Sequence, residues 1–282
     1  MKNNINTQYL TELSAQEKLE QMLNMMDDID KVCKSYKLKY FIAYGSLIGA
    51  IRHNGIIPWD DDIDIQMPRD DYEKFISIYS KEGKYQITSP KSSDPLYYYA
   101  KVYNADTIKL EYGISYRKRT PLGIDIDIFP LDNYCGILPN GNRIPNKRSL
   151  QMLYYLRMYA IDDITTKKSR KYPLLSYFLG IICHIIGNKT IIGIFEHIAK
   201  SGNKSQSDYY TVYSGMPKIS IYKKADFESC LNIPFESRFY NVPVGYDNIL
   251  RSSYGDYMVL PPKEKRVSHH LNTIYWKNKC QH

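Results

Sequence analysis

The sequence predicts an α/β (α+β) fold: a mixed sheet flanked by helices, with a helical insertion and a C-terminal subregion. Three observations point there. Strand-like and helix-like runs interleave through the first half of the chain. Acidic residues alternate with apolar ones in two of the strand-like runs. After Pro130 the chain turns rich in Gly, Pro and Asn and then continues as apolar helical stretches. The 282 residues leave room for one large domain or two small ones, and 43% apolar with 24% charged residues excludes a disordered chain.

Taken in order, Ser14-x-x-Glu17 is a capping-box pattern, after which Leu19, Met22, Leu23, Met26, Ile29, Cys33 and Tyr36 recur at helical spacing. Tyr40 to Tyr44 reads as a buried strand ending at Gly45-Ser46, and Leu47–Arg52 as a short helix that stops near Asn54-Gly55. Pro58 to Met67 alternates strictly. As one strand it would put Asp60, Asp62 and Asp64 on one face and Asp61, Ile63, Ile65 and Met67 on the other. A helix is expected from Pro68 to about Tyr79, and strands at Tyr97–Tyr103, Thr107–Glu111 and Leu122–Phe129, the last with Asp125 and Asp127 opposite Ile124, Ile126 and Ile128. Helical stretches follow at about 147–160, 172–186 and 190–200, then a turn and helix over Gly245–Tyr254. The expected division is a catalytic core at 1–145, a helical insertion at 146–205 and a part completing the site at 206–282.

A net charge of +8 favours anionic partners, from phosphates to nucleic acid or an acidic leaflet, without choosing among them. The start of the chain is polar and lacks the apolar core of a secretory signal, so a cytoplasmic protein is expected, with the inner face of the membrane as a possible station. Five scattered cysteines without a C-x-x-C pair argue against disulfides or zinc. The 28 tyrosines suit half-wet surfaces that grip a polar ligand, with a general bias toward Lys, Asn and Ile as the plainer explanation. Tyr172 to Asn188 carries no Lys, Arg, Asp or Glu but is too short and interrupted for a membrane span. Two readings stay open for it: a buried hairpin, or an interfacial helix flanked by Lys167, Lys168, Arg170, Lys171 and Lys189.

Two carboxylates held together beside an apolar layer call for a cation between them, so Asp62 and Asp64 suggest Mg²⁺ or Mn²⁺, which prefer oxygen ligands. Gly45 and Ser46, at a strand-to-helix turn, offer N–H groups and a hydroxyl to a phosphate. Arg52, Arg69 and Lys101 are candidates to screen phosphate oxygens, and Asp127 is a candidate third ligand or a base for an incoming hydroxyl. Gly-Ser, Asp-x-Asp and a distal strand Asp form the arrangement of nucleotidyltransferase-like folds.

The run from Tyr40 through Gly45-Ser46 and Pro58-Trp59 to Ile65, with Ile126-Asp127-Ile128-Phe129-Pro130-Leu131-Asp132 and Tyr254-Gly-Asp-Tyr-Met-Val-Leu-Pro-Pro262, closely resembles the LicD family, relatives of fukutin and its related protein. The resemblance covers about 15–132 and 245–270. It implies a phosphotransferase that moves phosphocholine, or ribitol or glycerol phosphate, from a CDP-linked donor to a sugar hydroxyl of a cell-surface glycan such as lipopolysaccharide, a teichoic acid or a capsule polysaccharide. It also implies Asp62, Asp64 and Asp127 as metal ligands and Gly45-Ser46 as the nucleotide-phosphate turn. Asp125 departs from the family pattern, which is apolar there. A choline cage would draw on Trp59, Tyr97, Tyr99 and Tyr103, against ordinary sheet packing for the same rings. Arg266, His269 and His270 either close a tail loop on the nucleotide or cap the fold. The rival readings are an Asp-x-Asp glycosyltransferase using a nucleotide sugar, and a non-enzymatic nucleic-acid or anion binder; no nucleic-acid partner is expected.

Overall fold

The computed structural model describes residues 10–111, 120–134, 150–156, 173–204, 206–215, 220–268 and 272–277. In chain order the elements are β1 (Thr11–Glu12), α1 (Ala15–Tyr36), β2 (Phe41–Ile42), α2 (Tyr44–His53), β3 (Asp64–Pro68), α3 (Arg69–Glu82), β4 (Gln86–Thr88), β5 (Ala100–Tyr103), β6 (Thr107–Glu111) and β7 (Asp125–Asn133). A helical stretch α4 (150–156) precedes α5 (Pro173–Ile186), α6 (Asn188–Ser201), β8 (Tyr209–Thr211), β9 (Ile221–Lys223), β10 (Cys230–Phe235), β11 (Arg238–Pro243), α7 (Tyr246–Tyr254) and β12 (Asn272–Trp276). The mixed α/β character is as the sequence predicts.

The chain forms two compact units, cut differently from the three consecutive segments expected. The first takes Met1–Ile87, Lys101–Pro130 and Lys223–His282, and the second Thr88–Ala100 and Leu131–Tyr222. The C-terminal segment therefore belongs with the first unit, because β12 pairs antiparallel with both β1 and β6.

In the first unit the capping box is present: Ser14 Oγ accepts the Glu17 N–H at 3.2 Å and Glu17 Oε2 accepts the Ser14 N–H at 2.8 Å. Helix α1 buries Met22, Leu23, Met25, Met26, Ile29, Val32 and Cys33, whereas Tyr36 stays exposed. Its other face explains several tyrosines. Asp30, Asp28 and Asp27 accept the hydroxyls of buried Tyr40 (2.7 Å), Tyr79 (2.5 Å) and Tyr240 (2.7 Å) from the loop before β2, from α3 and from β11. These phenols fill the core and need a partner for the polar tip, so their role is structural.

Strands β2, β3, β7, β5 and β4 are successive neighbours in one sheet, with β2 and β3 antiparallel in the register Ile42 to Ile65. A close approach fixes the turn before β7. A Cβ on Gly123 would lie 1.7 Å from the Asn104 carbonyl oxygen, which already accepts the Thr107 hydroxyl at 2.9 Å. Only glycine lets these two stretches lie together.

The second unit has its own core of Tyr98, Leu150, Leu153, Cys183, Ile191, Ile192, Phe195, Ala199 and Tyr213. Tyr98 stacks on Phe195 at 3.9 Å and donates its hydroxyl to the Leu153 carbonyl at 2.6 Å. No single helix among the described residues is long and apolar enough to cross a membrane, and α5 and α6 meet at Gly187 with a bend of 79°.

Candidate active site

The first unit folds its candidate residues around the turn between β2 and α2. Ala43 is extended, and Tyr44 follows in the left-handed region at φ 49°, an uncommon conformation for a side chain of this size. Its ring meets Phe129 of β7 edge-on at 5.3 Å. Gly45 comes next, and a Cβ there would stand 2.7 Å from Asp60 Oδ2, so the bare backbone is what admits the Asp60 carboxylate. Ser46 is buried, and its hydroxyl oxygen accepts the Asp64 N–H at 3.0 Å. The hydroxyl expected to meet a phosphate thus pins the first residue of β3.

The single alternating strand expected over 58–67 is not formed, because β3 begins only at Asp64. Ahead of it Asp60 donates its N–H back to the Ile57 carbonyl at 2.8 Å, and Asp61 donates to Asp60 Oδ1 at 3.3 Å. This turn breaks the alternation that would have sent Asp61 to the far face. One carboxylate oxygen each from Asp60, Asp61 and Asp62 lie within 4.8 Å of one another. Asp127 is not in that trio; on the adjacent strand its N–H donates to the Ile63 carbonyl at 3.2 Å, which sets it level with the start of β3.

Crowding shows in the acidities. Burial first, then Asp62 and Asp127, push Asp64 well above the usual carboxylate range. Burial and then Asp62 push Asp60 up to about 7. Asp127 is also pushed up, chiefly by burial and against the pull of Lys101. A group of carboxylates that resist being ionised together, with oxygen donors only, fits a hard divalent cation of the Mg²⁺ or Mn²⁺ class.

Lys101 does not face the cavity as a phosphate ligand. Its Nζ lies 2.9 Å from Asp125 Oδ2 and 2.5 Å from Asp127 Oδ1, while Lys109 Nζ is 2.5 Å from Asp125 Oδ1. The family departure at Asp125 is thereby explained: its charge is spent on two buried lysines. Arg69 is likewise committed, to Glu73 at 3.3 Å and over the Tyr72 ring.

Beside the carboxylates opens a cavity of about 740 Å³, within the usual range for a ligand site. Gly45, Asp60, Asp62 and Asp64 are among its lining, Arg52 and Lys265 supply positive charge, and Trp59, Tyr254 and Tyr257 supply aromatic surface. Arg52 donates to the Tyr257 carbonyl at 2.6 Å and to His53 Nε2 at 3.0 Å, tying α2 to the turn after α7. Arg266 lies over the Trp59 ring at 5.6 Å and donates to the Pro261 carbonyl at 2.8 Å. His53 meets the edge of Trp59 at 6.1 Å.

Of the four aromatic residues expected to form a cage, Trp59 lines this cavity. Tyr103 is half-buried on β5 and is not part of the lining, and Tyr97 and Tyr99 belong to the second unit, where they pair with each other at 5.4 Å. Sequence reasoning missed Tyr254, Tyr257 and Lys265 as lining residues. The Tyr254-Gly-Asp-Tyr257 run before the double proline was the signal that pointed there. His269 and His270 lie outside the described residues.

A family model described as LicD/FKTN/FKRP, nucleotidyltransferase domain, matches residues 37–160, which include Gly45, Asp62, Asp64 and Asp127. The chain is also 29% identical over 267 residues to the lipopolysaccharide cholinephosphotransferase LicD of Haemophilus influenzae, covering 90% of this chain and 94% of that one. An uncharacterized protein of Rickettsia typhi is 38% identical over 64 residues, 23% of this chain and 21% of its own. Another, of Rickettsia prowazekii, is 42% identical over 50 residues, 18% and 19% respectively.

Proposed function

Because the chain belongs to the LicD family and is a phosphotransferase, we propose that it moves a phospho-alcohol, phosphocholine first among the candidates, from a CDP-linked donor to a sugar hydroxyl of a lipopolysaccharide-type glycan, releasing CMP. The observation that carries this reading is one cavity lined by the carboxylates of Asp60, Asp62 and Asp64 together with Arg52, Lys265 and Trp59. A diphosphate needs both a cation held by acids and basic groups for its remaining oxygens, and a choline headgroup needs an aromatic face. The lipopolysaccharide-directed relative, matched along most of both chains, supports the choice of alcohol and acceptor.

In this reading Asp62 and Asp64, with Asp127 on the neighbouring strand, would hold Mg²⁺ or Mn²⁺. The ion, when bound, supplies charge neutralisation at the breaking phosphoanhydride. Ser46 fixes Asp64 through its N–H, and Gly45 leaves space for Asp60. Arg52 and Lys265 orient the diphosphate, and Trp59, Tyr254 and Tyr257 receive the quaternary ammonium or the base. Chemistry of this type gains its rate from positioning and electrostatics.

A lipid-linked acceptor at the inner face of the membrane is the partner that fits best. In the second unit Phe178, Ile182, Ile185, Ile186 and Ile194 are exposed, up to 80% at Ile185, with exposed Lys189 following Ile186 closely along the chain. Apolar residues bordered by a lysine suit an anionic leaflet.

The test is incubation with CDP-choline, CDP-ribitol or CDP-glycerol and Mg²⁺ in the presence of the glycan. CMP release that depends on the acceptor supports the proposal. A nucleoside diphosphate released from a nucleotide sugar would establish the glycosyltransferase reading instead.

A further inference from the structure

Acidic side chains crowd the centre of the first unit, and two ammonium groups stand among them. Lys101, on β5, touches both Asp125 and Asp127, at 2.9 and 2.5 Å, and its side chain is 4% exposed. Asp125 is 2% exposed and is held by Lys101 through Oδ2 and by Lys109 through Oδ1. The flanking residues of the strand, Ala100 and Val102, are buried, so the Lys101 stem leaves the backbone inside the core. Asp127 is the more open of the two acids, at 17%. Its backbone N–H donates to the carbonyl of Ile63, the residue just before Asp64, at 3.2 Å, so Asp127 sits level with the start of β3 while its carboxylate holds Lys101.

An ammonium hydrogen-bonded to one oxygen of Asp127 does what a second metal ion shared by that carboxylate would do: it neutralises Asp127 and fixes its orientation. It also repels another cation placed at the same oxygen. Nor can it swing away, since Asp125, itself paired with Lys109, holds it in a buried set whose disruption leaves charge unmatched. Resting on the proposed metal-dependent function, we infer that Lys101 occupies the place of a second cation. The site then takes a single divalent ion on Asp62 and Asp64, and Lys101 is the positioning residue that aims Asp127 toward it. Asp125, anchored by Lys109, serves to hold Lys101 in place.

The test is Mn²⁺ titration of the full chain near neutral pH, following free Mn²⁺ by its electron paramagnetic resonance signal. One tightly held ion per chain is expected for the native protein. Lys101→Gln, which empties the place, should take up two, and Lys101→Arg, which keeps the charge, should stay at one. Circular dichroism checks that the variants are folded, and if Lys101→Gln does not fold the native stoichiometry decides by itself. Two tightly held ions in the native protein, or one in a folded Lys101→Gln, overturn the inference and leave the metal-dependent reading standing. No bound ion overturns both.

Discussion

Replacing Asp125 by Asn removes a buried negative charge that faces two ammonium groups at 2.9 and 2.5 Å and keeps the volume almost unchanged. Lys101 keeps Asp127, but the Lys109 ammonium, which burial works to neutralise, loses the carboxylate that holds it charged. Breaking a buried pair by removing one partner costs about 3–5 kcal/mol. For a protein of this size each kcal/mol lowers Tm by about 2–4 °C, so a fall of about 10 °C is expected at pH 7. Acid provides an independent check. Burial alone pushes Asp125 up, but Lys101 and Lys109 override it and hold the carboxyl at about 2, below its ordinary 3.8. A depressed carboxyl stabilises the fold above 3.8 and loses that contribution as pH falls toward 2. The gap in Tm between native protein and Asp125→Asn, followed by circular dichroism from pH 7 downward, should therefore narrow on acidification. A fall in Tm at pH 7 of under about 3 °C, or a gap indifferent to pH, would refute the reasoning.

Asp62→Asn and Asp64→Asn should each cut CMP release by about 10³-fold with an unchanged circular dichroism spectrum; full activity in either would remove the cation role. Gly45→Ala brings a methyl to 2.7 Å from Asp60 Oδ2 and displaces that carboxylate; the expected result is about a 10²-fold loss of kcat with little change in Tm. Tyr240→Phe deletes the hydroxyl bonded to Asp27 at 2.7 Å and should lower stability by about 1.5–3 kcal/mol in urea unfolding. The double change Ile182→Ser with Ile185→Ser should weaken sedimentation with anionic vesicles by about tenfold or more, since each apolar side chain contributes about 1.5–3 kcal/mol when buried; undiminished binding would show that this face is not the contact.

The family and part of the local structure were legible in the chain. The capping box at Ser14 is a local pattern that survives into the structure because neighbouring residues enforce it, whereas the helix expected from Leu47 already starts at Tyr44, so Gly45 and Ser46 lie in its first turn rather than in the turn before it. Family resemblance likewise rested on contiguous stretches, so it needed no tertiary knowledge. Alternation failed at Asp60 to Asp62, since a backbone turn to Ile57 overrode the period that the sequence displayed. Strand pattern alone could not say that Lys101 would be spent on Asp125 and Asp127, because those partners lie 24 and 26 residues away along the chain.

The order of residues by itself determined the mixed α/β class, the first helix with its cap, the acid-rich motif and the excess of positive charge. Tertiary structure alone decided which charges neutralise one another and which aromatic rings reach the cavity, bringing Tyr254 and Tyr257 to Trp59 and leaving Tyr97 paired with Tyr99. The physical reason is range: turns and caps are settled between residues a few positions apart, whereas the state of a buried charge depends on whichever distant strand packs against it.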